Sequence, residues 1–67
     1  MKLKQYQLYN IDKECFSYCW LDGDLQVGNV ITLEDVPGNK YKVIWKYDKE
    51  LSLEDLGLNR NPKWYSI

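Results

Sequence analysis

The sequence predicts a mainly β protein: a small antiparallel barrel of four to five strands, with one short helical turn before the last strand. Three observations carry this. Apolar and polar residues alternate with period two over several short segments, most clearly from Lys40 to Tyr47. Turn residues punctuate the chain at Asp22-Gly23, Gly28-Asn29 and Pro37-Gly38. Ten aromatic residues are spread from Tyr6 to Tyr65, so the whole chain, residues 1–67, shares one core as one domain.

Each element follows from its residues. Lys4 to Ile11 alternates weakly, with Tyr6 and Leu8 on one face and Gln5, Gln7 and Tyr9 on the other, which suits a strand or an edge strand. From Glu14 to Leu21, Phe16, Tyr18 and Trp20 share one face and Cys15, Ser17, Cys19 and Leu21 the other. Bulk on both faces suits a strand inside a barrel. Val30 to Leu33 is a short β-branched strand, and Val36-Pro37-Gly38-Asn39 reads as a type II turn, proline fixing φ and glycine supplying a positive φ. In the Lys40–Tyr47 strand, Tyr41, Val43, Trp45 and Tyr47 form one face, and Lys40, Lys42, Ile44 and Lys46 the other. Ser52 caps a helical turn with Asp55 three residues on, Leu53 and Leu56 pack one turn apart, and Gly57 ends it. Lys63 to Ile67 is a closing strand.

Val27 to Leu33, then Pro37-Gly38, then Tyr41-Lys42-Val43 resembles the glycine-then-alternating-apolar hairpin of SH3-like barrels, including the KOW-type barrels of ribosome and transcription proteins. Taken with Cys19-Trp20 and with Asn59-Arg60 to Trp64, residues 19–64 also resemble small bacteriophage-encoded proteins. The first resemblance implies RNA or protein binding. The second brings no activity with it and places the chain in a host cytoplasm.

Composition narrows the function. Nine cations face ten carboxylates with no histidine, so the net charge of −1 offers no general attraction for a polyanion. The charges are nevertheless segregated: residues 14–39 hold Glu14, Asp22, Asp24, Glu34 and Asp35 and no cation, whereas 40–49 hold four lysines and one aspartate. The basic start MKLKQYQLY alternates instead of leading into a secretory apolar run, and no stretch reaches membrane-spanning length, so a cytoplasmic protein is expected.

Catalysis is not expected. There is no phosphate-binding loop, dinucleotide glycine pattern or nucleophile elbow, and the commonest general base is missing. Asp22 and Asp24 flank Gly23, and Glu34-Asp35 precedes Pro37; both pairs suit turns better than acid–base chemistry. Cys15 and Cys19, four apart on a strand, stand roughly 13 Å apart, too far for a disulfide. Two cysteines without histidine fall short of a zinc site within one chain, so they read as buried free thiols, and no cofactor is implied.

Two binding surfaces remain. Tyr18, Trp20, Tyr47, Trp64 and Tyr65 exceed what so small a core can enclose, and exposed Tyr and Trp anchor protein interfaces, so a protein partner, a host protein or a second copy, is the leading expectation. The alternative is a nucleic-acid or nucleotide binder in which Lys40, Lys42 and Lys46, joined by Arg60 and Lys63, track phosphates beside an aromatic platform. Alternating lysines also serve solubility and guard against edge-to-edge pairing.

Overall fold

The computed structural model describes residues 2–67. It is mainly β: strands β1 (Lys2–Asn10), β2 (Cys15–Leu21), β3 (Val30–Leu33), β4 (Val36–Ser52) and β5 (Trp64–Ser66), with one short helix, α1 (Leu53–Leu56). The strands form one antiparallel sheet in the order β2-β1-β4-β3-β5. This sheet is open. The closed barrel expected from the sequence does not form, because β2 and β5, its two edges, share no ladder.

β1 lies at the heart of the sheet rather than at its edge, paired on one side with β2 and on the other with β4. Its alternation is as read: Tyr6 and Leu8 are buried while Gln5, Gln7 and Tyr9 face outward. Asn10 ends the strand. Its side-chain oxygen accepts the backbone N–H groups of Asp12 and Lys13, at 3.0 Å each, and its amide donates to Asn39 Oδ1. This Asx turn closes a four-residue loop in which Glu14 takes φ 53°, a conformation uncommon outside glycine.

β2 then returns along β1 in unbroken register from Asn10↔Cys15 to Lys4↔Leu21. It is an edge strand, not an interior one. Cys19 and Leu21 turn toward the core, while on the other face Phe16 and Tyr18 stand exposed and Trp20 is part-buried. Cys15, expected to be buried, is exposed, because it sits where the strand leaves the turn.

The link from β2 to β3 crosses the concave side of the sheet. Gly23 makes the corner at φ 84°, and Leu25 drops into the core with Tyr6, Leu8, Leu21, Ile31, Tyr41 and Val43. The Tyr6 hydroxyl fixes this crossing by donating to Gly23 O at 3.2 Å and accepting from Leu25 N–H at 3.3 Å. Gly28 N–H then donates to Val43 O, and Val43 N–H to Asn29 O, which delivers the chain beside β4.

The β3–β4 reversal is the two-residue loop Glu34-Asp35, with Leu33 opposite Val36. Pro37-Gly38 is not the hairpin turn the sequence suggested. Gly38 does take a positive φ, 87°, but within β4, where the register against β3 slips between Leu33↔Val36 and Ile31↔Tyr41. The proline and glycine thus build an irregularity that bends the strand. Two further slips, between Lys4 and Tyr6 and between Gln7 and Leu8, bend β4 against β1. These three bends curl the sheet around its core.

α1 forms as read. Ser52 Oγ accepts from Asp55 N–H at 3.1 Å, the Asp55 carboxylate accepts from Ser52 N–H, and Gly57 closes the turn at φ 70°. β5 pairs with β3, and its first residue, Trp64, reaches with the preceding Asn61 across to the start of the crossing segment. Trp64 Nε1–H donates to Asp22 O at 2.9 Å and Asn61 Nδ2 to Asp22 Oδ2 at 2.9 Å. Side chains, not a ladder, therefore tie the two wings together.

Candidate functional site

The outer face of β2, β1 and β4 carries a continuous aromatic surface. Alternation sends Phe16, Tyr18 and Trp20 to this face from β2 and Gln5, Gln7 and Tyr9 from β1. Register then sets the rows. Phe16 lies opposite Tyr9 and Tyr9 opposite Lys42; in the next row Tyr18 lies opposite Gln7 and Gln7 opposite Trp45. The Tyr9 and Phe16 rings meet at 5.2 Å between centroids, tilted by 52°, and Tyr18 and Tyr47 at 6.3 Å, tilted by 47°. Both lie within the range of favourable aromatic pairs.

Phe16 is 63% exposed, Tyr18 58% and Trp45 56%. Trp45 belongs to this surface only because of a register slip. Period two places it with Tyr41 and Val43, which are buried; the slip between Gln7↔Trp45 and Leu8↔Val43 inserts Ile44 and turns Trp45 outward.

The same slip redirects Lys46. It pairs with Tyr6 in the ladder and faces the inner side, where its ammonium meets Asp24 Oδ1 at 2.8 Å. The Lys46 hydrogen bond and charge hold the Asp24 carboxyl below its usual range, and Asp24 in turn raises the lysine. The Ser52 cap lowers Asp55 in the same way, through its backbone N–H first and its hydroxyl second. A depressed carboxylate contributes stability above its unfolded pKa, near 3.9, and loses it as pH falls through the folded value. Thermal melts should therefore hold steady from neutral pH to about 5 and fall below about 4. Asp24→Asn with Asp55→Asn should flatten that acid limb; parallel limbs in both proteins would assign acid unfolding to other groups.

Of the residues expected to bind a partner, Tyr18, Trp20 and Tyr47 do come together on or beside the aromatic face. Partial burial, followed by the neighbouring Tyr18 phenol, raises the Tyr47 pKa. Trp64 does not join them. It packs against the core and is bound to Asp22, so it fastens the two wings instead of presenting a surface. Tyr65 is exposed, but on β5, opposite Thr32 at the far edge. Phe16, Tyr9 and Trp45 complete the surface. Phe16 was legible from its parity with Tyr18, whereas Trp45 depended on the slip.

The expected cationic face is divided. Lys40 and Lys42 are exposed, Lys46 is engaged by Asp24, and Arg60 reaches Glu34 and Asp35 at 3.5 Å each. Lys63 and Asp35 border a mainly apolar groove of about 320 Å³ that runs between β2 and the β3–β4 turn, walled by residues that include Cys19, Trp20, Leu21, Leu33, Leu58 and Pro62. Burial pushes the Cys19 thiol up, away from the reactive thiolate. Among the described residues no helix is long and apolar enough to cross a membrane.

The fold and this face define a small mainly-β protein with an aromatic sheet surface. Comparison with protein-family models, with curated proteins and with solved structures gives no match.

Proposed function

We propose that this chain is a non-enzymatic protein-interaction module that docks a protein partner on the outer face of β2, β1 and β4. The observation that carries this reading is the continuity of Tyr9, Phe16, Tyr18, Trp45 and Tyr47 across three strands, with three of the five more than half exposed. Aromatic side chains of this kind supply large contact area with few rotatable bonds, and they dominate binding energy at interfaces. The resemblance to small phage-encoded proteins makes the partner a host cytoplasmic protein. SH3-like architecture enters this reading as curl without closure, supported by the single long β4 that pairs with β3 from Val36 to Lys42 and with β1 from Tyr41 to Ser52.

Nucleic-acid binding is less well supported, since Lys46 and Arg60 are held by carboxylates and Lys42 alone among the five cations sits in an aromatic row. The test compares the wild-type chain with Phe16→Ala, Tyr18→Ala and Trp45→Ala. None of the three belongs to the buried core, and Phe16 and Tyr18 each give up one ring pair, so every variant should stay folded with its thermal midpoint lowered by no more than about 10 °C. A host protein retained by the wild type should bind Trp45→Ala at least roughly 30-fold more weakly, and Tyr65→Ala within about threefold. Equal retention by wild type and a variant lacking all three aromatics would sink the reading. Binding of a single-stranded oligonucleotide that falls steeply with salt would replace it with the nucleic-acid alternative.

A further inference from the structure

We infer that β2 is a self-pairing edge: two copies of this chain join antiparallel through Cys15–Leu21, about a two-fold axis at Tyr18, into one ten-stranded sheet. Among the described residues no strand pairs with the outer side of β2, so the backbone donors and acceptors that alternate residues of Cys15–Leu21 turn away from β1 lie open. Edges of this kind are normally blunted by a charge, a proline or a bulge. β2 has none of these: its sequence CFSYCWL is uncharged, and its register with β1 is unbroken.

The occupant follows from the strand's own symmetry. Residues opposite one another in an antiparallel pair share a face, so a two-fold axis must pass through a residue position. Centred on Tyr18, it sets Phe16 against the copy's Trp20 on the outer face, aromatic on aromatic, and Tyr18 against Tyr18. On the inner face it sets Ser17 against Cys19 and Cys15 against Leu21, small beside larger. The apolar groove flanks Cys19–Leu21. The copy's residues that fall there are Cys15, Phe16 and Ser17: the cysteine and serine are small enough to pass beside Leu58 and Pro62, and Phe16 meets Trp20 at the groove's border. No charge opposes another within the paired strands, but one step beyond them the axis brings Glu14 near the copy's Asp22 at both ends, a like-charge meeting that weakens the pair.

The area sets the strength. Three aromatics from each copy, each burying roughly 150–250 Å² in full and already partly covered, leave the contact below the roughly 1,200 Å² that marks the weak, transient class. The dimer is accordingly weak, with dissociation on the order of 0.1 mM. The inference concerns the strand edge and stands whether or not the outer face holds another partner.

Sedimentation velocity across a concentration series up to about 1 mM tests it, with Tyr18→Glu and Tyr18→Arg as paired variants. The axis places residue 18 against itself, so either variant alone should stay monomeric and an equimolar mixture should dimerise at least as well as wild type. Tyr18 is more than half exposed, so both variants should fold, as circular dichroism will report. Amide exchange on the wild type gives a reading without mutation: β2 protection should rise with protein concentration while that of β4 stays constant. A wild type monomeric at about 1 mM overturns the inference. Variants that dimerise alone, or a mixture that stays monomeric, overturn it equally, and protection rising on β5 instead would move the contact to the other edge.

Discussion

Tyr6→Ala is expected to remove most of the stability of this domain. Tyr6 is fully buried between β2 and β4, and truncating a core aromatic costs about 3–5 kcal/mol through lost transfer energy and the cavity left behind. A 67-residue domain has roughly 3–10 kcal/mol in all. Tyr6→Phe separates packing from hydrogen bonding. It keeps the ring but strips Gly23 O of its donor and the buried Leu25 N–H of its acceptor, which should cost about 1–3 kcal/mol. Urea titrations of the three proteins measure both effects. If Tyr6→Phe lies within about 0.5 kcal/mol of wild type, the hydroxyl does not pin the crossing segment.

The second large effect concerns the joint between the wings. A β-carbon added at Gly23 would lie 3.1 Å from Trp64 Cζ2, and φ there is 84°. Gly23→Ala thus meets two penalties: about 1–2 kcal/mol for a left-handed alanine, plus displacement of a ring held by its bond to Asp22. We expect a total loss of about 2–4 kcal/mol and a change in tryptophan fluorescence and near-ultraviolet dichroism as Trp64 shifts. Trp64→Ala should cost about as much by itself. In that background Gly23→Ala should cost only its backbone share, because the ring it strikes is gone. Strictly additive losses in the double variant would show that the two residues do not meet.

These effects fall at sites of unequal legibility. The capping box at Ser52 and Asp55 and the glycines that need positive φ could be read directly, since each depends on residues a few positions apart. Strand β3 was legible from Val30 to Leu33, and the two faces of β2 from their alternation. The candidate surface was half legible: Tyr18, Trp20 and Tyr47 could be named, Phe16 followed from parity, and Trp45 was read onto the wrong face. Lys46 failed for the same reason. A slip of one residue reverses every side chain beyond it, and its position is set by the neighbouring strand, not by the residues that slip.

The sequence by itself determined the mainly β class of this chain, the capped turn at Ser52–Gly57, and its surplus of aromatic side chains. Each is a property of composition or of neighbours along the chain. Only the tertiary structure decided that the sheet stays open, that β1 is central and β2 an edge, that Trp64 packs on the core and bonds Asp22, and that Lys46 and Arg60 pair with carboxylates. Those outcomes join residues such as Trp64 to Asp22 and Lys46 to Asp24, 42 and 22 positions apart. Such pairings arise from how a bent β4 folds the sheet over its core, and no periodicity along one strand encodes which edge will meet which.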